Sequence, residues 1–252
     1  MMAKTHVPLS ASIGGAFAFA CTGWEVISDT WSSTSGNIAA RLSEAVGAAV
    51  HAMTWSQIAL CFIVIMSIGG YALVPDFDEP GATIVKKTGF VGLLLCPLIR
   101  AIAGGHRKGT HSIFMIIGSA GLGWYGSQNI VSWVLLAAFG CYLSASLVIG
   151  TKRWEDQAAF VALTAAVAYV AYDAMTPLIG AAIVCGGILL HIAEDMIAGK
   201  VKFFWPARVS VGLDLITTDG PVENMVVRPV ANVAVALVLI VTVIVPTALQ
   251  VI

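Results

Sequence analysis

The chain has 252 residues, of which 58% are hydrophobic and only 11% charged, whereas soluble domains carry about 25% charged residues. That much apolar surface exceeds what a soluble core can bury, so lipid must be the solvent for much of the chain. A net charge of -1 argues against a basic nucleic-acid-binding surface. The five cysteines (Cys21, Cys61, Cys96, Cys141, Cys185) are scattered with no CxxC, indicating neither a disulfide framework nor a thiolate zinc site.

A spanning helix needs about 20 mainly apolar residues. Seven segments approach that requirement: 7–24, 53–74, 111–128, 130–149, 158–176, 178–198 and 230–252. They predict an all-α membrane protein, a polytopic bundle of about seven transmembrane helices forming one domain over residues 1–252. Lys4, His6 and Pro8 come before the apolar run of the first segment, which holds two adjacent glycines, unlike an ordinary signal peptide. Segment 25–52 is more polar and carries Arg41 and Glu44, which reads as a surface excursion with an amphipathic helix near 37–50. Segment 86–103 has basic flanks, an internal Pro97 and a short apolar run, as expected for an interfacial or re-entrant helix. The alternation in KVKFFWPARVSVGLDLI predicts a small surface hairpin within 199–229.

The charges then orient the bundle. With seven crossings, residues 1–6, 75–110, 150–157 and 199–229 share one side. That side holds Lys4, Lys86, Lys87, Arg100, Arg107, Lys108, Lys152, Arg153, Lys200, Lys202, Arg208 and Arg228, leaving only Arg41 of the 13 basic residues opposite. The asymmetry makes the basic side cytoplasmic, with the N-terminus inside and the C-terminus on the opposite side of the plasma (inner) membrane.

Four of the five histidines fall on that same side, although none was used to assign it: His6, His106, His111 and His191. Asp76 and Asp78 follow the second span directly, and Asp195 follows His191 by four residues, which puts both side chains on one helix face. Neighbouring carboxylates repel unless a proton or cation lies between them. Mixed nitrogen and oxygen donors suit zinc first, with manganese or iron as alternatives. The expected ligands are therefore His6, Asp76, Asp78, His106, His111, His191 and Asp195. Arg107, between two of them, suits a phosphate oxygen, and an unligated carboxylate, Asp78 or Glu194, suits a general base. Each residue alone also has an ordinary role: a helix-end histidine caps, an acid ends a span, and Lys108 anchors at the interface. Convergence of all of them on one face is what these separate roles do not explain. His51 falls on the opposite face and reads as structural.

The motifs THVPLSASIGG, LVPDFDEP, GGHRKGTHS, HIAED and FFWPAR resemble the YdjM-like family of inner-membrane, LexA-regulated predicted metal-dependent hydrolases. The family pattern falls on His6; on Pro75, Asp76 and Asp78; on His106, Arg107, Thr110, His111 and Ser112; on His191 and Asp195; and on Trp205 and Pro206. The chain departs from it at Glu79, where histidine is frequent, and at Ala198, near which threonine is common. The spans over 130–176 read as an addition. The resemblance implies a membrane-bound hydrolase, and the His/Asp donor set is similar to that of zinc-dependent phospholipase C enzymes. The expected reaction is hydrolysis of a phosphoester of a lipid or lipid-linked substrate. The rivals are a membrane transporter, disfavoured by span centres almost free of charge, and a non-catalytic scaffold stabilised by metal. Arg228 is expected in solvent, and Glu223 either in solvent or at the site.

Overall fold

A computed structural model describes residues 3–148 and 154–251. Helices α1 (Ala3–Ser33), α2 (Ile38–Ala52) and α3 (Trp55–Tyr71) lead into a short 3-10 turn, Val74–Asp78. Next come α4 (Thr83–Lys87), α5 (Phe90–Ala103), a 3-10 turn at Gly109–His111, α6 (Ile113–Gly126), α7 (Ile130–Val148) and α8 (Trp154–Ala171). After α9 (Pro177–Ala198) and a long loop, the chain ends in α10 (Arg228–Leu239) and α11 (Val245–Val251), with π-helical turns at Glu223–Val227 and Ile240–Ile244. Lys152 and Arg153, and the side chain of Lys4, lie outside the described residues.

Helix α3 is the axis of the bundle and packs against α1, α7, α8 and α9. Its sequence is apolar on all sides, as a helix buried on all sides must be. A Thr54–Gln57 capping box starts it. Glycines let its neighbours close in: a Cβ at Gly70 would strike the Gly140 carbonyl of α7, and one at Gly187 of α9 would meet the Ile68 carbonyl at 2.5 Å. Close backbone approach of this kind is how helices pack when no hydrophobic force separates them from lipid. The outer faces stay apolar, with Phe114, Leu135, Val233 and Leu237 exposed.

Each of the seven apolar segments is helical over most of its described residues. Among the described residues, five helices are long and apolar enough to cross a membrane: Thr5–Ser33, Trp55–Asp78, Glu155–Ala174, Pro177–Ala198 and Glu223–Val251. Those at Ile113–Gly126 and Ile130–Ala145 are shorter. Two expectations need correction. The excursion expected from residue 25 begins later, because α1 continues to Ser33 and the chain breaks only at Gly36, whose φ of +126° suits glycine. The amphipathic helix expected near 37–50 is α2, capped by the Asn37 side chain. The expected hairpin is a single antiparallel bridge, Val201 to Val211, and no strand occurs among the described residues. Tight turns at Lys202–Trp205 and Phe204–Ala207 take up the backbone groups that a ladder would need. The loop is instead tied to the rest of the protein, with Lys202 N donating to the Arg107 carbonyl, Leu213 N to that of Met196, and Ile113 N to that of Phe203.

Candidate metal centre

The start of α1, the turn after α3, the loop before α6, the end of α9 and the turn before α10 meet at one end of the bundle. They bring His6, Asp76, Asp78, His106, Arg107, His111, His191, Glu194, Asp195 and Glu223 together. His6, Asp78, His111, His191 and Glu223 are fully buried, and Glu194 and Asp195 nearly so. Charged and imidazole groups this far from water need partners.

Three of the imidazoles have their Nδ1 atoms engaged. His6 Nδ1 lies 2.5 Å from Glu194 Oε2, and His106 Nδ1 lies 2.7 Å from Asp78 Oδ1. Against a carboxylate acceptor, Nδ1 is the donor. Thr110 uses its one hydroxyl hydrogen on Asp78 Oδ2, so toward His111 Nδ1, 3.0 Å away, it accepts. In all three rings the proton then sits on Nδ1, and the lone pair on Nε2.

Those of His6 and His111 point inward. His111 Nε2 lies 3.1 Å from His191 Nε2 and 3.3 Å from Asp195 Oδ2. His191 Nε2 is 3.7 Å from the same oxygen and 3.6 Å from Asp76 Oδ1, and His6 Nε2 is 3.8 Å from Asp195 Oδ1. The His6 and His191 rings stack with centroids 4.2 Å apart. Two sets have ligand atoms all within 4.8 Å of one another: His6, His191 and Asp195, and Asp76, His106 and His111. Facing lone pairs and carboxylates in a buried pocket fit a divalent cation, and buried His191 Nδ1 has no hydrogen-bond partner. The donor set therefore fits a metal; it does not identify one.

Asp78 belongs to neither set, and both its oxygens accept hydrogen bonds, from His106 and Thr110. Both oxygens of Glu194 are likewise taken, by His6 and by Ser10 Oγ at 3.2 Å. Burial by itself would lower the pKa of His106, but the Asp78 hydrogen bond and the charges of Asp78 and Asp76 outweigh it and raise the value above the ordinary 6.5.

Arg107 sits at φ +58°, after Gly104 and Gly105 at +75° and +113°. A non-glycine residue in this region is strained and marks a site over-determined by its surroundings. Its side chain reaches Asp195, with Nη2 3.3 Å from Oδ1, and with Nε 3.1 Å from Oδ2 but not aligned for a hydrogen bond. Lys108 is half-buried and donates to the Gly104 carbonyl at 2.6 Å, bracing the loop. Trp205 lies near Gly104. His51 is exposed in the last turn of α2, apart from the centre.

The sequence reading missed Thr5 and Ser10 and left Glu223 open. Glu223 accepts from Thr5 Oγ1 at 2.8 Å and from Asp219 N at 2.8 Å. Ser10 stands four residues after His6 on the same helix face, which was the one signal available. Arg228 is half-buried near Asp219, with Nη2 3.8 Å from Oδ1, and not fully solvated as expected. Comparison with protein-family models, curated proteins and solved structures finds no match to this chain.

Proposed function

We propose that this protein is a membrane-embedded, metal-dependent hydrolase that cleaves a phosphoester of a lipid or lipid-linked substrate at the cytoplasmic face of the inner membrane. The observation that carries the reading is the inward convergence of four imidazoles with Asp76 and Asp195, three of the rings held in the metal-ligating tautomer by groups behind them. A divalent cation held there supplies Lewis acidity, acidifying water and drawing charge from a phosphoryl oxygen. Zinc suits the donors best, with manganese and iron as alternatives.

The ligands are His6, His191 and Asp195 in one set and Asp76, His106 and His111 in the other. Asp78 and Glu194 are positioning residues in this scheme, since their oxygens orient His106 and His6, and the role of general base passes away from them. Arg107 is the substrate-binding group: its guanidinium, now on Asp195, is placed to exchange that carboxylate for a phosphoryl oxygen. The basic asymmetry of the polar segments supports the cytoplasmic placement, and the motif resemblance to the YdjM-like family supports the reaction class.

The test is elemental analysis of detergent-purified protein beside His111→Ala and Asp195→Ala variants, followed by a screen of phospholipids and lipid phosphates. One or two equivalents of zinc, manganese or iron, lost in folded variants, are expected, together with phosphate release. Wild-type protein that holds no metal and takes up none on titration would refute the hydrolase. Metal without turnover on any phosphoester would favour the scaffold.

A further inference from the structure

An apolar cleft of about 390 Å³ lies beside the metal centre, within the range of about 300–1,000 Å³ typical of ligand clefts. Its walls include Phe77 from the turn after α3, Ile99 and Ile102 from α5, Phe114 from α6 and Trp205 from the long loop. Thr110 also lines it, and Thr110 is the residue bonded to both Asp78 and His111. Cleft and metal centre therefore share a wall.

Helix α5 connects this cleft to the exterior. Its 14 residues extend about 21 Å at ~1.5 Å each, short of the ~30 Å hydrocarbon core. Phe90, Leu94, Leu98 and Ile102, spaced by four, form an exposed apolar stripe. A short helix with such a face lies in the plane of the interface. Ile102 belongs both to the stripe and to the cleft, so the apolar surface continues from the outside of α5 to Thr110.

We propose that this cleft holds one hydrocarbon chain of a membrane lipid phosphate and so sets the depth at which its phosphoester meets the metal ligands. The inference rests on the hydrolase reading and narrows its substrate to a chain-bearing lipid phosphate. Lipid tails are as apolar as the cleft walls, so transfer of a chain from the bilayer carries little driving force. The cleft positions the chain, and affinity comes from the head group, where Arg107 and the two ligand sets stand. Occupancy must then depend on the head group.

The test uses the full-length protein, supplied with zinc, in phosphatidylcholine nanodiscs. Phosphatidic acid carrying a chain diazirine and a diacylglycerol with the same chains are photo-crosslinked, and the adducts are mapped by mass spectrometry. Phosphatidic acid adducts are expected to concentrate on Ile99, Ile102, Phe114 and Trp205, several-fold above those of diacylglycerol, and to fall several-fold in Ile102→Trp. Equal labelling by both probes, or adducts spread over the exposed residues Met225, Val233 and Leu237, would overturn the proposal. Zinc analysis of the same samples separates the two readings: zinc-bound protein without cleft labelling loses only the chain site. A cleft labelled in protein that takes up no metal keeps a lipid-phosphate site and loses the hydrolase.

Discussion

Replacing Glu194 by Gln probes the centre without emptying it. Glu194 is buried and belongs to neither ligand set; its oxygens hold His6 Nδ1 at 2.5 Å and Ser10 Oγ at 3.2 Å. Gln keeps the shape and one carbonyl acceptor for His6, and its amide can donate to Ser10 Oγ. The loss is the negative charge behind His6, which makes Nε2 a stronger donor. Removing such a partner typically weakens metal binding about 10- to 100-fold, or roughly 1.4–2.7 kcal/mol. Glu194→Leu should do more, leaving His6 Nδ1 and the Ser10 hydroxyl without this acceptor and costing about 1–3 kcal/mol of fold stability for each group so stranded. The assay is chelator competition for zinc in detergent, with thermal unfolding in parallel. Unchanged zinc affinity in Glu194→Gln, while His6→Ala loses zinc, would refute the orienting role.

Three further outcomes are expected. Arg107→Ala should retain zinc but lower kcat/KM for a lipid phosphate by at least about tenfold, because a charge-assisted contact contributes about 1.5–3 kcal/mol; loss of metal instead would make Arg107 a structural partner of Asp195. His106 has a raised pKa, so in metal-free protein the protonated His106–Asp78 pair contributes stability that is fully present below pH 6.5 and lost as pH rises through the raised value. Zinc must displace that proton, so affinity measured against pH should decline on acidification from above 6.5, and Asp78→Asn should move the onset to lower pH. Gly70→Ala should lower the unfolding midpoint in detergent, at a cost of about 1–3 kcal/mol, because its Cβ meets the Gly140 carbonyl, whereas Gly118→Ala faces open space and should be neutral or better.

The helices were legible because apolar runs of spanning length leave the backbone few alternatives in lipid. The end of α1 was not, since polarity over 25–33 marks a change of solvent and not a break in the helix; the break needed Gly36. The alternating segment after α9 looked like a hairpin, but Pro206 has no N–H to give a ladder and the neighbouring residues turn instead. His and Asp ligand candidates stood out because such groups are rare and costly near spans. Thr5 and Ser10 did not, because hydroxyls in apolar helices usually bond their own backbone, and the Thr5–Glu223 pair joins residues 218 positions apart. Local pattern carries no trace of such a pairing. The division of labour among carboxylates was equally hidden: Asp76 and Asp78 look alike in sequence, and only the fold turns one toward His106 and Thr110.

His6 waits 188 residues for Glu194, and Thr5 waits 218 for Glu223. During synthesis the first helix therefore enters the bilayer carrying half of a polar cluster whose other half has yet to be made. Until α9 and the turn before α10 emerge, those groups must stay at the water boundary. Emergence of α9 and the Glu223 turn is then what lets residues 5–10 leave that boundary for their partners. A ribosome-stalled chain ending before α9 should leave residues 5–10 open to water-borne reagents, and release of the finished chain should close them.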